Sequence, residues 1–281
     1  MSETVVELPK IAILGAGSMG RAILSGLVAP SVHVDGGIVV TNRSAQRAAS
    51  VQHLPNVVAL STERDGDANR TAVADAGIVL VAVKPAMVPD LLSEIADALA
   101  PGAIVVSVAA GVTVARFEEL LPDSVAVIRS MPNTPAVVGK AVTGLSAGTR
   151  STPEQLAVVR RLFETVGSVI EIPESQLDAL STISGSGPAY VYFLIEKLTA
   201  TAVDKGFTPQ QAAELVNGTF IGAAALLESS ESTPTELRIQ VTSPKGTTER
   251  AVAVLQDADL KSVFDAATDA ALARARELAA G

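Results

Sequence analysis

A short apolar run over residues 10–14 passes straight into Gly15-Ala16-Gly17-Ser18-Met19-Gly20, and a helical pattern follows through about Val28. No other feature of the chain narrows the choice of fold so far. A strand that turns on spaced glycines into a helix is the opening unit of a doubly wound α/β sheet, and the turn leaves backbone amides bare at the positive end of the helix. Gly15 permits the tight turn, Gly17 lets a ligand approach the backbone, and Gly20 allows close packing of helix on strand. As a bare pattern Gly-x-Gly-x-x-Gly is weak, and a glycine turn that serves packing alone fits it too. Its place near the N-terminus, with further buried-type strands behind it, favours a nicotinamide or flavin dinucleotide.

The downstream pattern agrees. Apolar runs at 38–41, 76–83, 103–109, 125–129 and 142–147 alternate with helical stretches at 88–100, at 113–121 behind Thr113, and at 153–166 behind Thr152-Pro153. Continuous apolar runs such as 76–83 suit parallel strands buried on both faces. Residues 57–70 are polar and read as an irregular loop. From Glu174 onward the strand signal nearly vanishes, and helices are expected at 176–183, 187–205, 209–229, 234–240, 247–256 and 259–279. The expected architecture is an N-terminal Rossmann-type doubly wound parallel sheet over 1–170 and a C-terminal all-helical domain over 171–281. The helical half is rich in Ala and Leu on more than one face, which predicts a homodimer through that half.

Composition excludes whole classes of chemistry. With no cysteine among 281 residues, disulfides, thiol catalysis, Cys-ligated zinc and iron–sulfur clusters are out. The two histidines, His33 and His53, stand in loop-like stretches, so no metal site is expected. Thirty acidic against 21 basic residues give a net charge of −9, which argues against nucleic-acid and anionic-membrane partners. No apolar run approaches the roughly 20 residues of a membrane span. The acidic opening Met1-Ser2-Glu3-Thr4 lacks a signal core, and the cytoplasm is the expected compartment. Side chains for acid–base work are scarce, so a borrowed cofactor is expected to carry the chemistry.

Several turns then qualify as ligand contacts. The second strand ends Thr41-Asn42-Arg43-Ser44, without the acid that would bind a ribose 2′-hydroxyl. Arg43 would attract a 2′-phosphate and Asn42 could donate to it, which favours NADP, although a solvated turn would look the same. Lys84, between Val83 and Pro85, either holds cofactor or is a solvated loop lysine. Ser107-Val108-Ala109-Ala110-Gly111 ends a strand in small residues that admit a flat ring or serve packing. Met131-Pro132-Asn133-Thr134-Pro135 is a stiff loop that admits a cis peptide, and reads equally as functional loop or structural elbow. Ser184-Gly185-Ser186-Gly187-Pro188-Ala189-Tyr190 opens a helix with Ser186 as capping candidate and carries more glycine and serine than capping requires. Val241-Thr242-Ser243-Pro244-Lys245-Gly246-Thr247-Thr248 also precedes a helix; its hydroxyls and amides could cradle a carboxylate, or over-provide an N-cap. Tyr190 and Tyr192 read as packing residues of the long helix.

Taken in order, these motifs resemble the pyrroline-5-carboxylate reductase family over essentially the full length. The resemblance implies an oxidoreductase acting on a CH–NH bond, with NADPH preferred and NADH possible, that yields L-proline in the last step of proline biosynthesis. It also implies a helical dimerisation domain and assembly as a homodimer or a larger homo-oligomer such as a ring of dimers. Carried onto this chain, Leu14, Gly15, Ala16, Gly17, Ser18 and Met19 would hold the pyrophosphate, and Asn42 and Arg43 the 2′-phosphate side. Asn69 would lie near the adenosine; Ala82, Val83, Lys84, Pro85, Ala109, Ala110 and Gly111 would line ribose and nicotinamide. Glu174 and Gln240 match positions near the cofactor more weakly. Ser243, Gly246 and Thr247 would take the substrate carboxylate, and Thr248 the ring nitrogen as the catalytic contact.

One position departs from the family. Lys245 stands where relatives usually carry glycine; if φ there is positive, lysine strains the turn, and alternatively its cation attracts the carboxylate. Two other readings stand beside the resemblance: a reductase of the 3-hydroxyacid dehydrogenase type, for which Lys197 is the available acid, and an NADP-binding regulator without turnover.

Overall fold

The computed structural model describes residues 5–280, the side chains of 278–280 excepted; the acidic opening at 1–4 lies outside the described residues. Ten strands run β1 Val6–Leu8, β2 Ile11–Leu14, β3 Val32–Val34, β4 Ile38–Asn42, β5 Val57–Ser61, β6 Ile78–Val81, β7 Ile104–Ser107, β8 Ala126–Met131, β9 Ala141–Ala147 and β10 Gly167–Glu171. Eight of them form one sheet in the order β10-β9-β8-β7-β6-β2-β4-β5, and β1 and β3 pair separately. Every residue of β2, β6 and β7 is buried, as strands covered on both faces require.

The pleat sorts the core into two layers. Ile11 and Ile13 join one apolar cluster while Ala12 and Leu14, the alternate residues, join the other. Helices α1 (Ser18–Leu27) and α6 (Pro153–Glu164) cover the first face with Ile23, Leu27, Leu162 and Phe163. Between them in sequence are α2 (Ala45–Ala49), α3 (Ala68–Val73), α4 (Val88–Ile95) and α5 (Val114–Leu120). The second face is covered by α3, α4 and α5 through Ala72, Val73, Leu92 and Phe117. Each fully buried aliphatic or aromatic side chain contributes about 1.5–3 kcal/mol relative to exposure. Helix starts follow the local code: Thr113 accepts from the Arg116 amide, and Thr152 with Gln155 completes a capping box ahead of Pro153.

Two expectations need correction. Residues 57–70 are not one loop, since they hold β5 and the start of α3. In the edge strand β5 only the end residues Val57 and Ser61 are buried, with Val58 56% exposed, and α3 spans six residues, too few for a periodic signal. The sheet is parallel except for β8 and β9, which pair antiparallel because a short turn at Thr134–Val138, not a crossover helix, joins them. The chain forms two compact units: the first runs to Gly185 and takes in the chain from Leu272, and the second is Ser186–Ala271. Residues 174–185 stay with the sheet, tied by Arg129 and Asn133 as described below.

The helical region opens with α7 (Leu177–Leu180) and a π-helical turn at Ser181–Gly185, and continues as α8 (Gly187–Asp204), α9 (Pro209–Ser229), α10 (Pro234–Gln240), α11 (Thr247–Asp257) and α12 (Leu260–Ala280). Thr208 and Thr233 build capping boxes on Gln211 and Glu236, each ahead of a proline. In the second unit Ala212 and Val216 are the buried apolar residues among those described, whereas Tyr192, Ile221, Val254 and Val263 are more than half exposed. A unit with so little closed core leaves apolar surface for a partner to cover. Among the described residues no helix is long and apolar enough to cross a membrane.

Candidate active site

In the parallel part of the sheet the strand ends line up. Leu14 lies opposite both Thr41 and Val81, and Val81 opposite Ser107, so the turns after β2, β4, β6 and β7 emerge along one carboxyl edge. The sheet's order reverses at β2, with β4 on one side and β6 on the other. A crevice at such a switch point is where open α/β sheets bind ligands. The topology thereby gathers residues 14–19, Asn42-Arg43, residues 82–85 and residues 109–111, which are far apart in sequence.

The glycine turn is built for close approach. Gly15 has φ +87°, and a Cβ there would lie 2.7 Å from Val83 Cγ1. The Gly15 and Ala16 amides both donate to the Thr41 carbonyl, at 3.1 and 3.2 Å, which pins the turn to the neighbouring strand. A Cβ on Gly20 would meet the Gly15 carbonyl at 3.1 Å, so its hydrogen lets α1 pack tightly. A Cβ on Gly17 would meet nothing within 4 Å, and no side chain caps α1. Open space in front of uncapped amides at a helix N-terminus fits a dinucleotide pyrophosphate.

The tip of β4 carries a second sign. Asn42 is 5% exposed, and its Nδ2 has no hydrogen-bond partner. A buried donor left unpaired costs about 1–3 kcal/mol, which a ribose or phosphate oxygen at this tip would offset. Beside it the Arg43 side chain is exposed, while the Arg43 carbonyl accepts from Ser61 Oγ at 3.0 Å. Lys84 is exposed ahead of the turn Pro85–Met87. Ala109 is buried, Ala110 exposed, and Gly111 has φ +78°. Asn69 lies on α3, and its amide group donates to both Glu94 oxygens at 3.1 and 3.2 Å, so those hydrogens already have an acceptor.

Two motifs resolve into structure. No cis peptide occurs among the described residues, so the loop after β8 does not use one. Asn133 is buried there; its Oδ1 accepts from the Val142 amide and its Nδ2 donates to the Ser184 carbonyl, both at 2.9 Å. It ties the start of β9 to the π-helical turn. Ser186 occupies the N-cap position of α8 without a side-chain capping bond. Glu174 is explained by packing: its Oε1 accepts from the Val114 amide at 2.8 Å, at the start of α5, and from Arg129 at 3.1 Å. Arg129 also pairs with Asp178 at 2.9 Å. Sequence reading passed over this cluster, although an arginine inside an apolar strand signals a buried partner.

The second unit presents the hydroxyl-rich turn before α11. Ser243, Thr247 and Thr248 are exposed. Gly246 is the N-cap, so no side chain caps the helix, and its amide donates to the Ser243 carbonyl at 3.0 Å. A Cβ on Gly246 would lie 2.9 Å from that same oxygen, which requires glycine. Lys245 has φ +59°, so the left-handed turn exists and lysine bears it at roughly 1–2 kcal/mol. Gln240 is the last residue of α10. Among the described residues no cluster of histidine and carboxylate side chains could hold a metal ion.

A bare glycine turn at the switch point of a doubly wound sheet, followed by a helical domain with an open apolar surface, defines a two-domain NAD(P)-dependent oxidoreductase. Residues 10–111 match the family model for F420-dependent NADP oxidoreductases, and residues 174–278 match the model for pyrroline-5-carboxylate reductase dimerisation. The chain belongs to the pyrroline-5-carboxylate reductase family. It is 39% identical to the reductase of Mycobacterium tuberculosis H37Rv over 96% of this chain and 97% of that one, and 33% identical to that of Methanosarcina acetivorans over 97% and 99%. The solved structure of a pyrroline-5-carboxylate reductase from Coxiella burnetii superposes with a TM-score of 0.86 at 34% identity, covering 95% of this chain and 97% of that chain. A Plasmodium falciparum reductase solved with NADP bound shares the fold, with a TM-score of 0.78 at 24% identity over 96% and 98% of the two chains. The helical part is accordingly a dimerisation domain.

Proposed function

We propose that this chain reduces 1-pyrroline-5-carboxylate to L-proline, the closing step of proline biosynthesis. The observation that carries this reading is identity above 30% to pyrroline-5-carboxylate reductases over nearly the whole chain. NADPH, when bound, supplies the hydride. The amides around Gly17, Ser18 and Met19 hold its pyrophosphate, and Asn42 and Arg43 hold the 2′-phosphate, so NADPH is preferred over NADH. Residues 82–85 and 109–111 line the ribose and nicotinamide.

The substrate is a cyclic imine whose protonated form is already electrophilic, so the protein needs no buried acid. Ser243 with the Gly246 and Thr247 amides binds the carboxylate, and Thr248 accepts the N–H of the protonated ring. The imine carbon gains the hydride and the nitrogen keeps its proton, giving a secondary amine. What the protein contributes is near-attack geometry. The alternative hydroxyacid dehydrogenase chemistry is disfavoured by the 33–39% identity to pyrroline-5-carboxylate reductases over nearly the whole chain; Lys197, the lysine it would use, is exposed and pairs with its neighbour Glu196 at 2.7 Å.

The working form is a homodimer or a larger ring of dimers, in the cytoplasm. Oxidation of NADPH and of NADH, each followed with and without pyrroline-5-carboxylate, tests the reading. Oxidation dependent on the imine, and faster with NADPH, is expected. A chain that binds NADPH but never oxidises it in the presence of the imine would be a regulator, not a reductase.

A further inference from the structure

The turn before α11 contains a device beyond the contacts assigned so far. In a capping box, the third helical residue reaches its carboxylate back to the N-cap amide. Glu249 is the third residue of α11, but the N-cap amide of Gly246 already donates to the Ser243 carbonyl at 3.0 Å. Glu249 reaches one residue further, and its Oε2 accepts from the Lys245 amide at 2.8 Å. The residue it holds is the one in the left-handed region, at φ +59°, where a side chain is disfavoured. A charge-assisted bond is therefore placed on the one strained peptide of the turn. A carboxylate in the first turn is also favoured by the helix dipole, which supports the same placement.

We infer that Glu249 is a positioning residue: by holding the Lys245 amide it keeps the strained turn in the shape that presents Gly246, Thr247 and Thr248 to the substrate carboxylate. This rests on the substrate reading proposed above. Without Glu249, Lys245 relaxes toward negative φ, and the continuous chain carries Gly246 and the first amides of α11 with it. Glycine at 245 has no such preference, so a Lys245→Gly chain does not need the clamp.

The test is a cycle of Glu249→Ala, Lys245→Gly and the double variant, with Glu249→Gln as the conservative control. Glu249→Ala is expected to raise KM for pyrroline-5-carboxylate roughly tenfold and leave KM for NADPH unchanged. In the Lys245→Gly background the same change is expected to raise it less than about twofold. Glu249→Gln, which still offers an oxygen to the amide, is expected to recover part of the loss. Equal losses in both backgrounds, or no loss in either, overturn the clamp. Hydrogen exchange at the Lys245 amide reads the clamp without turnover: Glu249→Ala should speed it at least several-fold, and an unchanged rate also overturns the inference. A wild-type chain that never reduces the imine would sink the substrate reading, and the exchange result would still decide whether Glu249 holds the turn.

Discussion

Arg129 donates to Glu174 at 3.1 Å across 45 positions of sequence, joining β8 to the residue that receives the Val114 amide at the head of α5. The Arg129 side chain is 7% exposed and Glu174's 32%, so the pair is partly screened by solvent. Glu174→Ala removes a helix cap and half of the pairing of a buried cation. The expected loss is about 2–3 kcal/mol in urea unfolding. Arg129→Met should cost less, because the two carboxylates it leaves rehydrate at the surface. A loss below about 0.5 kcal/mol for Glu174→Ala would show that the pair is ornamental.

Gly15 and Gly17 separate folding from binding. Gly15→Ala puts a methyl 2.7 Å from Val83 Cγ1 at φ +87°, so both thermal stability and NADPH affinity should fall. Gly17→Ala meets no neighbour within 4 Å and should leave the melting temperature within a few degrees. Its methyl would enter the space proposed for the pyrophosphate, so NADPH binding by calorimetry should weaken tenfold or more, on the order of 1.4 kcal/mol. Unimpaired binding in Gly17→Ala would move the dinucleotide elsewhere.

Arg43 carries the expected cofactor preference. Arg43→Ala should weaken NADPH by roughly 1–3 kcal/mol more than NADH, because the 2′-phosphate alone loses a charge-assisted contact. Parallel losses for both dinucleotides would sink the role given to Arg43.

In the proposed site Thr248 addresses the substrate and not the dinucleotide. Thr248→Ala should lower turnover about ten- to a hundredfold, the worth of one hydrogen bond to a charged group, with NADPH affinity nearly intact. Wild-type kinetics in this variant would place the active site on another loop.

The exposed apolar side chains of the second unit, Tyr192, Ile221, Val254 and Val263 among them, predict an assembly that persists at micromolar concentration. Sedimentation should find a dimer or larger species. A fully active, monodisperse monomer would refute it.

Much of this was legible in the sequence because it is written locally. The run before Gly15, the buried character of β6 and β7, and the Thr-Pro starts of α6, α9 and α10 each depend on residues within a turn or two of one another. Periodicity, capping and glycine's freedom act over that range. The hydroxyl-rich turn before α11 was visible for the same reason, whereas the question of a positive φ at Lys245 arises from the family resemblance, in which glycine usually stands there.

What only the tertiary structure decided involves partners far apart in the chain. The edge strand β5 buries only its two end residues, and a six-residue helix such as α3 has no period to read, so the stretch at 57–70 looked irregular. The antiparallel turn of β9 depends on Asn133 finding the Val142 amide and Ser184 carbonyl. Residues 174–185 stay with the first unit, where Arg129 draws Glu174 and Asp178 onto the sheet. Sequence periodicity reports which faces are apolar, but a buried polar side chain is placed by the particular donor or acceptor that satisfies it, and that partner is settled only when the chain has folded.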